Sequence, residues 1–342
     1  TPTGQLERAE YPDGREQWRK SDQTGNLYPD PDMRLRRYLG GGRLEQDGEW
    51  HCEYDADGNL TERYLGTGRW LDGKKDRWRY RWNADGSLAK VVRPDKREVE
   101  FTYDALGRRL SKSFGTTVMR WVWNDNVPLH QWKQHREYSV VEDRWNTDTE
   151  RRDMTVWLFD EESFVPVAMI KEGRSYSILT DQLGTPTEAY DTEGNEVWSR
   201  VLDMDGNVIE ETGNKGMVPF LFQGQYYDRE TGLAYNRFRY YSPKMGMYVS
   251  QDPIELEGGI LNLYGYVDDT NGWIDVFGLA KSYGRTGKQA RLRQLANDPK
   301  QPKWIRGWIK NEIRHIKNKD RKTIRLPGNS RNSIGEGKVL AH

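Results

Sequence analysis

Tyr54-Asp55-Ala56-Asp57-Gly58-Asn59-Leu60 recurs as Trp82-Asn83-Ala84-Asp85-Gly86-Ser87-Leu88, and again as Tyr103-Asp104-Ala105-Leu106-Gly107-Arg108-Arg109-Leu110. Weaker echoes stand at Tyr190-Asp191-Thr192-Glu193-Gly194 and Asp203-Met204-Asp205-Gly206-Asn207. Each unit reads as one β-hairpin. An aromatic ends a strand, Asp or Asn with Gly makes the turn, and an apolar residue opens the returning strand. The units start at positions 54, 82 and 103, the spacing of a hairpin with its connections. Hairpins of this kind bury their faces only by stacking on their neighbours. The expected architecture is therefore mostly β, built from many short strands.

Composition supports that reading. Only 35% of the 342 residues are hydrophobic, yet there are 14 Trp, 19 Tyr and 8 Phe, and the mean hydropathy is −0.99. Burial must therefore rest on aromatic side chains, which suit pleated sheet faces. The 34 Gly and 14 Pro fit tight turns better than long helices. The longest mostly apolar stretch, Phe164 to Ile170, is far shorter than the roughly 18 to 20 residues that cross a bilayer. Cys52 is the only cysteine, so no internal disulfide is possible and a zinc site lacks thiolates. It reads as a small buried side chain. The chain opens on Thr1 without a cationic start and apolar run, so no secretory signal is expected and the sequence reads as a piece of a longer protein.

The charges cancel overall but not locally. From residue 280 to 342 there are 17 Lys and Arg against 4 Asp and Glu, whereas the preceding residues hold 36 basic and 49 acidic side chains. Such a change of sign marks a domain boundary and implies different partners for the two parts.

The aromatic-Asp-x-x-Gly-x-Leu unit resembles the YD repeat of Rhs proteins and their relatives. That likeness implies a large hollow β-shell, cocoon-like, around a C-terminal cargo. A second block extends the likeness. It runs from Phe222-Gln223-Gly224-Gln225-Tyr226-Tyr227-Asp228 through Tyr235-Asn236-Arg237-Phe238-Arg239-Tyr240-Tyr241-Ser242-Pro243 and Ser250-Gln251-Asp252-Pro253 to Trp273-Ile274-Asp275-Val276-Phe277-Gly278-Leu279. This is similar to the Rhs core-associated region, which carries an intramolecular aspartyl protease and cuts the chain after the Leu of Asp-x-x-Gly-Leu. The resemblance implies cleavage between Leu279 and Ala280. It puts the aspartate pair at Asp252 and Asp275, with Arg237 as the accompanying cation. Val276 stands where the family usually has Pro. Aspartyl chemistry needs two carboxyls sharing one proton; which of the two carries it is not legible in the sequence. The expected domains are a YD-repeat shell at 1–221, a self-cleaving core-associated domain at 222–279 and a basic toxin domain at 280–342, incomplete at its end.

Beyond Leu279 the period becomes helical. Gln289 to Ala296 and Lys303 to Lys319 read as helices, the second with Ile305, Ile309, Ile313 and Ile316 on one face beside Trp304 and Trp308, and the domain is expected to be small and helix-rich. Its charge fits a nucleic-acid target. His315 and His342 are its only histidines and, with Arg325, Arg331 and Lys338, are the candidates for acid, base and cation in a metal-free nuclease. No cofactor is implied. The resemblance further implies a toxin used between bacteria, made in the bacterial cytoplasm and secreted or delivered into a target cell by a type VI secretion system. A cognate immunity protein and secretion-system spike or adaptor proteins would be its partners. Two other readings stay open: a non-enzymatic YD-repeat surface or adhesion protein, and the shell component of an insecticidal toxin complex.

Overall fold

The recurring unit closes the same turn each time. In the computed structural model Asp55 donates its N–H to the Asn59 carbonyl at 3.0 Å, and Gly58 donates to the Asp55 carbonyl at 3.1 Å. The Asp55 side chain completes the turn: Oδ1 accepts from the Asn59 N–H at 2.8 Å and Oδ2 from the Asn59 side-chain amide at 3.1 Å. Gly58 has φ +79, a left-handed conformation that costs other residues about 1–2 kcal/mol. The same backbone pair of bonds closes 83–87, 104–108, 191–195 and 203–207. It also closes 22–26 and 181–185, which the repeat pattern does not reveal because Ser21 and Thr180 replace the leading aromatic.

The structure describes residues 6–11, 13–66, 74–254, 261–279, 282–283, 310 and 314. The chain divides into two units, Thr1–Lys281 and Ser282–His342. Of the second, only Ser282, Tyr283, Lys310 and Arg314 are described, so the expected helix-rich basic domain lies almost wholly outside the described residues. No helix among the described residues is long and apolar enough to cross a membrane.

Within the first unit a long antiparallel meander runs from the strand Arg36–Leu39 to the strand Val208–Gly213. Strand Glu98–Tyr103 shows how the faces are assigned: Val99 and Phe101 are buried while Glu98 and Thr102 are exposed, the period of two that a half-buried strand requires. Strand Val127–Ser139 pairs with Thr117–Asn124 on one edge, and on the other with Arg152–Phe159 along its first half and Arg144–Thr147 along its second. Cys52 is buried on this wall, and burial pushes its thiol up to about 12.

A separate four-stranded sheet is formed by Tyr226–Asp228, Leu233–Asn236, Arg239–Ser242 and Met247–Tyr248. It behaves as a plug: Leu233–Asn236 and Arg239–Ser242 are buried at every position. Its two faces serve two cores. Tyr226, Leu233, Tyr235 and Tyr240 join the meander's apolar side chains in one cluster, while Ala234, Tyr241 and Tyr248 pack with Phe222 and Tyr266 in another.

Buried ion pairs join wall to plug at Asp228. Arg109, from the wall strand Arg109–Phe114, bonds to Asp228 of the plug, and Lys112 of the same strand holds the other Asp228 oxygen at 2.9 Å. Arg109 is 1% exposed and Asp228 0%. The guanidinium lies within 4.4 to 5.6 Å of the rings of Trp121, Tyr235, Tyr226 and Phe101. Removing one partner of such a pair leaves a charge buried without compensation. Asp228→Ala should therefore destabilise the first unit by about 3–5 kcal/mol, read as a fall in the denaturant midpoint followed by Trp fluorescence. A loss below about 1 kcal/mol would show that the pair is not holding the plug.

Candidate active site

The plug's register decides which side chains meet. Asn236 pairs with Arg239, so Arg237 and Phe238 form a two-residue turn, and Arg237 takes φ +57 there, as such turns require. Alternation along the two strands puts Asn236 and Arg239 on the face of Ala234 and Tyr241, toward the second cluster. Arg239 is 2% exposed, and its guanidinium lies 3.7 Å from the centre of the Tyr248 ring. Its Nη2 is 3.0 Å from Asp252 Oδ2 and 3.4 Å from Asp275 Oδ2. Its remaining donors face carbonyls: Nη1 reaches Leu263 at 3.1 Å, Nε reaches Gly278, and Nη2 lies 3.5 Å from the Leu279 oxygen.

Asp275 is held by its own turn. Oδ1 accepts from the N–H groups of Gly278 at 2.8 Å, Leu279 at 3.1 Å and Phe277 at 3.3 Å. Oδ2 accepts from the Tyr248 hydroxyl at 2.9 Å. Gly278 has φ +70, and a Cβ there would lie 2.6 Å from the Asn236 carbonyl oxygen, so only glycine lets this turn approach the plug. Asp252 has fewer bonds. Its Oδ1 accepts from the Ile254 N–H at 3.0 Å, and its own N–H donates to Leu263 at 2.9 Å.

Burial pushes both carboxyls above the usual aspartate range, and the Arg239 charge only partly offsets this. The Asp275 charge raises Asp252 further. Two carboxyls that resist ionisation and share one cation favour a single proton held between them, the state that aspartyl hydrolysis uses.

The structure brings together Asp252, Asp275 and Leu279 and corrects the third member of the expected set. Arg237 donates to the Leu106 carbonyl at 2.8 Å and to Asn126 Oδ1 at 3.4 Å, away from the carboxylates. Arg239, two residues on, is the cation between them. The physical reason is the turn: Arg237 leaves the strand at the hairpin tip, whereas Arg239 keeps an inward strand position. Tyr248 and Asn236 also belong to the site and were not singled out from the sequence; only the hairpin register identifies them. Ala280, His315, Arg325, Arg331, Lys338 and His342 lie outside the described residues.

A wall of Asp-turn hairpins wrapped on an aromatic plug defines a YD-repeat shell. Residues 4–270 match the teneurin YD-shell family, and the chain belongs to that family. It is 31% identical over 297 residues to double-stranded DNA deaminase toxin A of Burkholderia cenocepacia (strain H111), covering 80% of this chain and 20% of that protein. It is 30% identical over 251 residues to the probable deoxyribonuclease RhsA of Dickeya dadantii (strain 3937), covering 70% and 16%. Toxin protein Tse5 of Pseudomonas aeruginosa is 30% identical over 265 residues, covering 66% and 18%. The chain thus spans a fifth or less of the length of these relatives.

If the site works through Arg239, Arg239→Lys should slow chain cleavage by about 10²-fold or more, since a point charge cannot reach both carboxylates and the Leu279 carbonyl together. Arg237→Ala should leave the rate within about threefold of wild type, because it removes no side chain that supports general acid–base chemistry at the pair. The check is the fraction of full-length chain on a denaturing gel over time after refolding from urea.

Proposed function

We propose that this chain hydrolyses its own Leu279–Ala280 bond and so frees the basic segment that follows. The observation that carries this reading is the sharing of Arg239 Nη2 by Asp252 and Asp275, within 3.5 Å of the Leu279 carbonyl oxygen. The ionised carboxylate takes a proton from water, whose oxygen bonds to the Leu279 carbonyl carbon. The protonated carboxyl gives its proton to the carbonyl oxygen, and Arg239 steadies the charge that develops there. Collapse then breaks the C–N bond, with a proton passing to the Ala280 nitrogen. The products are a Leu279 carboxylate and an Ala280 amine. The buried pair supplies a dry, pre-aligned site for a single turnover.

The freed segment is the effector in this reading, and its target is nucleic acid. Two things support it: the excess of 17 basic over 4 acidic residues, and relatives named as a DNA deaminase toxin and a probable deoxyribonuclease. His315, His342, Lys338 and Arg331 are the candidates for acid, base and cation in the effector. The intact protein would hold this cargo in its shell until delivery into a target cell, with an immunity protein guarding the producer.

Cleavage is expected on folding, so intact-mass spectrometry should find two pieces that end at Leu279 and begin at Ala280. Asp252→Asn and Asp275→Asn should each lower the rate by about 10²–10⁴-fold while circular dichroism still shows the β-rich fold. Wild-type protein that stays full length would end the proposal. Because both carboxyls are raised, cleavage should persist above the ordinary aspartate range and fall only as the pair loses its last proton. For the effector, binding of the uncut Asp275→Asn chain to duplex DNA should weaken steeply with added salt, through loss of counterion release. Binding that ignores salt would point to a target other than nucleic acid.

A further inference from the structure

The two aspartates are not equivalent, and their surroundings assign their roles. Every hydrogen-bond partner of the Asp275 carboxylate is a donor. Oδ1 faces three backbone N–H groups; Oδ2 faces Arg239 and the Tyr248 hydroxyl. Tyr248 is itself oriented. Its oxygen accepts from Asn236 Nδ2 at 2.7 Å, a group with no acceptor capacity, so the phenol's single O–H is left to point at Asp275. The other Asn236 N–H holds the Asp275 backbone carbonyl at 2.8 Å. Asn236 and Tyr248 are both 0% exposed, so no solvent competes for these bonds. A proton placed on either Asp275 oxygen would confront a donor. Asp252 differs: each of its oxygens receives one donor, Ile254 N–H on Oδ1 and Arg239 on Oδ2, which leaves a lone pair on each for a proton.

We propose that Asn236 and Tyr248 form a fixed hydrogen-bond relay that holds Asp275 as the ionised member of the pair and leaves Asp252 to carry the proton. This rests on the self-cleavage reading and adds to it. Asp275 is then the base toward water and Asp252 the acid toward the Leu279 carbonyl; Tyr248 and Asn236 are positioning residues. The burial of Asp275 works against its ionisation and keeps its carboxyl above the usual range, and five donors, Arg239 among them, oppose that effect. Burial and the adjacent Asp275 charge push the Tyr248 phenol well above its usual range, so it remains a donor throughout. The groups facing Asp275 are Arg239 and Tyr248 from the plug, Asp252 from the segment after it, and Tyr266, whose hydroxyl accepts the Asp275 N–H at 3.4 Å. Among them the two carboxyls are the groups whose charge changes in this proposal, and Arg239 supplies the cation they share.

The test is the pH profile of cleavage for Tyr248→Phe, which keeps the ring under Arg239 and deletes only the hydroxyl. Chains held unfolded in urea are diluted into buffers across the pH range, and release of residues 280–342 is followed by intact mass. The acid limb, set by ionisation of Asp275, should move to higher pH by about one unit or more, giving a loss of roughly tenfold on that limb that is recovered as pH rises. The alkaline limb, set by Asp252, should stay in place. Asn236→Ser reads the same relay from its far end and should move the acid limb in the same direction, which covers the case of a Tyr248→Phe chain that fails to fold. A uniform fall in rate at every pH, or movement of the alkaline limb instead, would overturn the assignment while leaving self-cleavage intact. Absence of cleavage in the wild type would instead remove the reading beneath it.

Discussion

The Arg109–Asp228 pair is the constraint on which the rest depends. It is the point where a cation from the wall and an anion from the plug are both fully withdrawn from water. Burying either alone would cost several kcal/mol; burying them together ties plug and wall to one arrangement. The ring faces of Trp121, Tyr226, Tyr235 and Phe101 around Arg109 make the same demand, because two come from the wall and two from the plug. Once Tyr226 and Tyr235 are fixed by this contact, the register of the hairpin 233–242 is fixed too, and with it the inward position of Arg239.

The site grows out of that packing rather than being added to it. Arg239, Tyr248 and Asn236 share a face only because alternate residues of a doubly buried sheet must serve two cores. The wall also reaches this neighbourhood directly. The Tyr264 hydroxyl donates to the Gly58 carbonyl at 2.6 Å, and the Leu60 N–H donates to the Val249 carbonyl at 2.9 Å. A Cβ on Gly58 would lie 2.3 Å from Gln251 Nε2, next to Asp252 in the chain. A repeat turn of the wall therefore buttresses the segment that carries one of the two carboxylates.

Asp275 and the repeat aspartates use one device for two purposes. In the turns at 55, 191 and 203, the Asp Oδ1 accepts backbone N–H bonds from within the turn while Oδ2 is taken by the side-chain amide of Asn59, Asn195 or Asn207. Asp275-Val276-Phe277-Gly278 repeats the Asp-x-x-Gly spacing, and its Oδ1 likewise caps the amides that follow. The next residue is Leu279, which has no side-chain donor, so Oδ2 is released to Tyr248 and Arg239. The exchange of Asn for Leu after the glycine separates a turn whose Asp Oδ2 is held within it from one whose Oδ2 is left to partners outside the turn.

Local chemistry made much of this protein legible in advance. Asp with Gly at fixed spacing dictates a turn, aromatics beside turns dictate pleated faces to be covered, and an abrupt change of charge sign marks where one part ends. The wall follows from such patterns, and the likeness they carry is what points to Asp252, Asp275 and the bond after Leu279 as the proposed site. The turns at 22–26 and 181–185 escaped because they lack both the preceding aromatic and the Asp-Gly-Asn that marks 203–207, although the backbone bonds that define them are the same. The cation could not be chosen from sequence, since Arg237 and Arg239 stand equally close to the motif. Only the pairing of Asn236 with Arg239 shows which arginine turns outward at the hairpin tip and which points in. The unequal roles of the two aspartates likewise depend on donors from separate segments, brought together when the plug is buried. Spacing along a chain specifies turns and faces; which donors surround a buried charge is a property of packing between distant segments, and that is decided in three dimensions.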